Sequence, residues 1–172
     1  NASLTVEEKK DFLNLASDNN WILFFYHDPK TIAVKISKNN DKYIVENEQP
    51  AEKSVIVAGI GCSGNMVHML EKQQPFGIHG IHGRSLPIAM GIKMGNPDLN
   101  VVVVAGDGDF LGIGAEHIPP QAMRNLNITA IVMDNGVYGL TKGQSSPTTD
   151  LGVITSSTPY GKIEERVHPL RS

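Results

Sequence analysis

Asp107 sits between Gly106 and Gly108, directly after four consecutive valines and an alanine, so its carboxylate falls at the carboxyl end of a buried strand. Glycines on both sides let backbone amides approach phosphate oxygens, and the carboxylate suits a divalent cation that bridges those oxygens. Asn135 stands just past the next apolar run, Ile128 to Met133. Adjacent parallel strands would bring one carboxylate and one amide oxygen to the same ion. Mg²⁺ suits such a sparse oxygen set, because it fills its octahedron with phosphate oxygens and water. Taken alone, Gly-Asp-Gly reads as a tight turn and Asn135-Gly136 as a hairpin turn. The pairing of the two at strand ends favours the cation, and Val137-Tyr138-Gly139 is a poor match for a returning strand.

Two further glycine-rich loops read Gly59-Ile60-Gly61-Cys62-Ser63-Gly64 and His79-Gly80-Ile81-His82-Gly83-Arg84. His79 and His82 have the look of a metal pair, but the glycines at 80 and 83 argue for a loop facing a ligand. Cys62 reads as a small buried filler. Lys142 and Gln144 fit either a lid or a solvated turn.

These loops need a frame, and the apolar runs Ser54–Ala58, Val101–Ala105 and Ile128–Met133 supply it, with a valine and isoleucine content suited to strands covered on both faces. Leu86 to Met94 reads as a helix with Pro87 in its first turn and a stop at Gly95 and Pro97. Glu116 to Leu126 supplies a crossover helix whose regular part starts near Pro119, since Pro119-Pro120 would break an interior turn. The expected fold class is α/β, a parallel sheet flanked by helices with its loops on one rim. Before it, Thr5-Val6-Glu7-Glu8 has capping-box spacing for a helix to Asp18, Trp21 to Tyr26 reads as a strand, and Thr31–Ser37 with Lys42–Val45 reads as a hairpin. A boundary in the aperiodic stretch from Glu46 divides a small α+β N-terminal piece, residues 1–50, from the main domain, residues 51–172.

A chain of 172 residues with 40% hydrophobic content can pack an ordinary core. A net charge of −3 without a clustered basic face gives no footprint for nucleic acid, and no apolar stretch reaches membrane-span length, so a cytoplasmic protein is expected.

From about Val55 to Leu170 the chain resembles the thiamine-diphosphate-binding β subunits of the 2-oxoacid:ferredoxin oxidoreductases, most closely the 2-oxoglutarate type. The resemblance rests on Gly59 to Ser63, His82 to Pro87, Gly106 to Asp109, Met133 to Asn135, Tyr138 to Gln144, Ser146 to Thr148, Thr158 to Gly161 and His168 to Leu170. It implies that Asp107, Asn135 and the carbonyl of Val137 bind Mg²⁺. Gly106, Gly108, Asp109, Gly139, Leu140 and Thr141 would line the diphosphate, with Gly61, Cys62 and Ser63 against the cofactor. His82 and Arg84 would lie at its reactive end as the catalytic pair that holds the carboxylate of a 2-oxoacid. The cofactor supplies the carbon nucleophile and the electron sink. An α-type subunit is implied as well, because no glutamate here matches the acid that the family draws from a partner chain. Coenzyme A and ferredoxin complete the implied reaction. Family members hold an iron–sulfur cluster through cysteines that this sequence lacks apart from Cys62, which leaves the electron route in question.

Residues 1–50 are weakly similar to the C-terminal end of metallo-β-lactamase-fold hydrolases through Trp21 to Pro29. His27 is read as a turn residue before Asp28-Pro29, since the rest of that metal site is missing. Two rival readings remain for the main domain: a thiamine enzyme subunit without redox chemistry, and a catalytically silent fragment or fusion.

Overall fold

The computed structural model describes residues 2–19, 22–24, 31–40, 42–69 and 76–169. Trp21, Tyr26, His27, Asp28, Pro29 and Leu170, all named in the expectations above, lie outside them. The chain divides into two compact units, one formed by Asn1–Ser54 with Glu71–Pro75 and the other by Val55–Leu70 with Phe76–Ser172.

In the first unit, helix α1 (Ala2–Asp18) accompanies an antiparallel sheet of β1 (Ile22–Phe24), β2 (Thr31–Asn39) and β3 (Lys42–Pro50), in that order. Ala16, Val34 and Ile36 form its core, with Leu13, Leu23 and Tyr43 packed around them. The Tyr43 hydroxyl lies 3.1 Å from the Lys10 carbonyl and 2.9 Å from Asn14 Oδ1, which ties the sheet to α1. Two elements extend beyond the sequence expectation. Helix α1 starts at Ala2, ahead of the Thr5 box, and β3 continues past Val45 to Pro50, where it pairs with Thr31. A strand's length follows the ladder its partner offers, so polar Glu46 to Gln49 extend on an edge despite their low strand propensity.

In the second unit, β4 (Ser54–Ala58) leads through a 3₁₀ turn into a single helical turn, α2 (Met66–Met69), and then to β5 (Phe76–His79). Helix α3 (Ser85–Gly95) precedes β6 (Asn100–Gly106), and α4 (Ile118–Arg124) precedes β7 (Ile128–Met133). The four strands form a parallel sheet in the order β5-β4-β6-β7. Val55, Val57, Ala89, Val101 and Val103 form the core between sheet and α3, and fully burying each such valine contributes about 1.5–3 kcal/mol. Lys93 ends α3 by donating to the carbonyls of Pro97, at 2.6 Å, and Leu99, at 2.7 Å. Prolines occupy the first turn of α4, where an amide hydrogen is dispensable, and Asn125 closes it with φ +48°.

Three features depart from expectation. Strand β5 is an exposed edge of four residues, Phe-Gly-Ile-His, too short for the alternation of Phe76 and Ile78 to mark it as a strand. Strand β7 is also an edge, with Ala130 and Met133 exposed, so it is not covered on both faces. Val137–Tyr138 do form a strand, β8, but it pairs with β9 (Gln144–Ser145) and not back onto β7.

The strand order has a consequence for ligands. The chain leaves β4 towards β5 on one side, then returns to lay β6 on the other, so the loops after β4 and β6 diverge at a switch point. Open α/β sheets hold ligands in the crevice that such divergence leaves.

Candidate functional site

A cavity of about 230 Å³ opens in that crevice, lined by the Ile60–Ser63 loop, His82, Gly106–Gly108, Met133–Asn135 and Val137–Thr141. Of the residues expected at the site, Gly61, Cys62, Ser63, His82, Gly106, Asp107, Gly108, Asn135, Val137, Gly139, Leu140 and Thr141 all line it. Asp109 and Arg84 do not. Arg84 Nη1 donates to the carbonyls of Gly83 and Ile113, both at 3.4 Å, and lies 3.5 Å from Glu116 Oε1. Cys62 is exposed at the rim, contrary to a buried filler, because its loop belongs to the switch-point crevice and not to the core.

Asp107 and Asn135 stand on one rim because β6 and β7 pair in parallel with Gly106 opposite Met133. The Asn135 amide donates to Asp107 Oδ1 at 3.4 Å. Asn135 Oδ1 accepts from the Val137 amide at 3.2 Å, which fixes the carboxamide and leaves its oxygen a second lone pair. Asp107 is 1% exposed, and the Thr148 hydroxyl lies 2.7 Å from its Oδ2 and 2.6 Å from Asp134 Oδ1. One hydroxyl hydrogen cannot serve two carboxylates. Among the described residues no Lys, Arg or His pairs with Asp107 or Asp134. A buried Asp107 carboxylate without a cationic partner, facing the exposed Asp134 across one shared hydroxyl, fits a bound cation that would complete its charge balance.

The opposite wall has the reverse character. Asp109 is 2% exposed, and its Oδ1 accepts from the amides of Ile60, at 3.1 Å, and Gly83, at 2.7 Å, and from His82 Nδ1 at 2.5 Å. Its Oδ2 is buried without a hydrogen-bond partner beside Gly59, where a Cβ would come within 2.0 Å of it. Gly59 is therefore the residue type that this carboxylate tolerates. Between the walls, Tyr138 donates from its hydroxyl to the Gly108 carbonyl at 2.8 Å, and its ring meets His82 edge-on with centroids 6.2 Å apart. A Cβ at Gly108 would lie 2.4 Å from that ring. Burial pushes the Tyr138 phenol above its ordinary value, and the carboxylates of Asp107 and Asp109 add to the effect.

The sequence reading did not place Asp134, Tyr138, Thr148 or Lys162 in this arrangement. Asp134 adjoins Asn135 at a strand end, a signal available beforehand. Lys162 had none: it is 5% exposed, and its Nζ donates to the carbonyls of Ser146 at 3.1 Å, Pro147 at 3.0 Å and Thr149 at 2.8 Å, which holds the segment that carries Thr148. Thr149 adds a short hydrogen bond from Oγ1 to the Gly136 carbonyl.

Comparison with known proteins identifies the family and fold. Residues 59–171 match the thiamine pyrophosphate enzyme family at its C-terminal TPP binding domain. The β subunit of 2-oxoacid:ferredoxin oxidoreductase from Saccharolobus solfataricus is 50% identical over 119 residues, 69% of this chain and 39% of that protein. The 2-oxoglutarate synthase subunit KorB of Archaeoglobus fulgidus is 46% identical over 66% of this chain and 41% of its own length. Among solved structures, the 2-oxoglutarate:ferredoxin oxidoreductase of Magnetococcus marinus, with 2-oxoglutarate, coenzyme A and succinyl-CoA bound, superposes with a TM-score of 0.66 at 43% identity. That match covers 70% of this chain and 40% of the other. The chain thus spans about two-fifths of the length of these relatives. Its match from Gly59 onward and its parallel sheet make it a member of the thiamine pyrophosphate enzyme family, carrying the C-terminal TPP-binding domain.

Proposed function

We propose that this chain is the cofactor-binding part of the β subunit of a 2-oxoacid:ferredoxin oxidoreductase, with 2-oxoglutarate the favoured substrate. The observation that carries the reading is the buried Asp107 carboxylate, which shares its one hydroxyl donor with the exposed Asp134 and has no cationic partner among the described residues, beside Asn135 on the rim of the switch-point cavity. Asp107, Asn135 and the Val137 carbonyl would hold Mg²⁺, with the Gly106–Gly108 turn, Gly139, Leu140 and Thr141 around a diphosphate. Gly61, Cys62 and Ser63 would face the remainder of the cofactor, and His82 the reacting atoms. When bound, thiamine diphosphate supplies the carbon nucleophile and electron sink that decarboxylation of a 2-oxoacid requires.

A cavity of about 230 Å³ falls below the roughly 300–1,000 Å³ usual for enclosed ligand sites, so these residues cover one end of a ligand. An α-type subunit would cover the rest, with coenzyme A and ferredoxin serving the complete assembly. Cys62 is the chain's single cysteine, so an iron–sulfur cluster would take its other ligands from outside these residues. That same observation favours, as a second reading, a thiamine enzyme without redox chemistry.

Isothermal titration of the chain with thiamine diphosphate tests the cofactor claim. Saturable binding that requires Mg²⁺ and disappears in Asp107→Ala supports it; no heat in either protein supports a silent fragment. Iron and sulfide content of the reconstituted complex then separates the redox reading from the non-redox one.

A further inference from the structure

We infer that Asp109 is a positioning residue that fixes His82 as the Nδ1–H tautomer and confines hydrogen-bond and proton exchange by that imidazole to Nε2, on the cavity side. The inference rests on the proposed function for what reacts in the cavity, but its geometry stands on this chain alone. His82 Nδ1 lies 2.5 Å from Asp109 Oδ1. That same oxygen accepts two backbone amides, from Ile60 and Gly83, so it has no hydrogen of its own to give to the imidazole. The hydrogen of the pair therefore sits on the imidazole, and Nδ1 is occupied.

The two amides come from different loops, one following β4 and one following β5, while Asp109 itself belongs to the π-helical turn after β6. One buried carboxylate thus sets the spacing of three loops and the rotation of the ring that projects from one of them. His82 is also the sole basic side chain among the described residues that line the cavity. A neutral ring with Nδ1 committed presents a lone pair at Nε2. It would accept from a ligand group that carries a hydrogen, such as a hydroxyl, an enol or a water, in preference to gripping a carboxylate.

Nitrogen-15 NMR of the histidine-labelled full chain, recorded where the imidazoles are neutral, reads the tautomer directly, with the His82 signals assigned by their loss in His82→Gln. Wild type should carry its hydrogen on Nδ1. Asp109→Asn should keep that state, since its amide oxygen still accepts from all three donors. Asp109→Ala should move most of the population to the Nε2–H form. A wild-type spectrum with the hydrogen on Nε2 overturns the inference whether or not the alanine variant folds, and an unchanged tautomer in a folded Asp109→Ala overturns it equally. The spectra need no cofactor, so a chain that fails to bind thiamine diphosphate would sink the proposed function while leaving this result to be judged separately.

Discussion

Two aspartates two positions apart, Asp107 and Asp109, are buried almost equally, yet they serve opposite walls of one cavity. Residues two apart on a helical turn point to roughly opposite sides, and the turn that begins at Gly108 separates the two carboxylates accordingly. Asp109 turns into the protein, where two amides and an imidazole satisfy one of its oxygens. Asp107 turns to the cavity, where one hydroxyl is shared with a second carboxylate. Equal burial therefore says little about role. What separates them is the kind of donor: Asp109 Oδ1 gathers two amides and an imidazole from three loops, which suits a scaffold, whereas Asp107 shares its hydroxyl with Asp134 beside the cavity, which suits the proposed cation.

The sharpest way to break this contrast is to neutralise each carboxylate in turn. Asp107→Asn should weaken Mg²⁺-dependent cofactor binding by about 100-fold or more, measured by titration calorimetry, because the cation loses its charged ligand. Asp109→Asn should change that affinity by less than about 10-fold, since its donors remain satisfied. Equal losses in both variants would mean that the two walls are not distinct.

Next in size is the brace behind the donor-poor wall. Lys162→Met removes the Nζ that three carbonyls share, of which Thr149 O has no other donor among the described hydrogen bonds. Thermal unfolding should show a loss of about 2 kcal/mol. Cation binding should weaken with it, because the same segment carries Thr148. Thr148→Val, which deletes the shared hydroxyl while keeping its shape, should lower Mg²⁺ affinity about 10-fold, whereas Thr148→Ser should restore most of it. An unaffected valine variant would show that the hydroxyl does not orient the carboxylates.

The donor-poor wall was legible in the sequence and its opposite was only half so. Asp107 and Asn135 follow apolar strands, and strand ends on one rim are a local pattern that periodicity exposes. Asp109 was read as part of the same ligand surface, since a sequence gives proximity along the chain but not the half-turn that sends two carboxylates apart. The π-helical turn responsible, closed by the Gly114 amide on the Asp109 carbonyl at 2.8 Å, has no compositional signature. Thr148 and Lys162 lie far along the chain from what they hold and announce nothing locally. In the sheet, the buried strands β4 and β6 stood out as valine runs, while β5 did not because four exposed residues with apolar groups only at Phe76 and Ile78 are too short a pattern to read as a strand.

The smallest effect tests the group that touches both walls. Tyr138 is raised above the ordinary phenol value of 10.0, first by burial and then by the carboxylates of Asp107 and Asp109. The folded protein therefore holds the phenol's proton more tightly than the unfolded chain does. That preference is fully present below pH 10.0 and is lost as pH rises through the folded-state value. Unfolding midpoints of wild type should fall more steeply above pH 10.0 than those of Tyr138→Phe, which has no proton to lose and lacks the bond to the Gly108 carbonyl. The difference should stay under about 1 kcal/mol, since the hydroxyl is only partly withdrawn from water. With Mg²⁺ and thiamine diphosphate present, a cation at Asp107 would offset one of the two carboxylates, and the wild-type curve should move towards that of the phenylalanine variant. A curve unchanged by the cation would mean that Tyr138 senses the Asp109 wall alone.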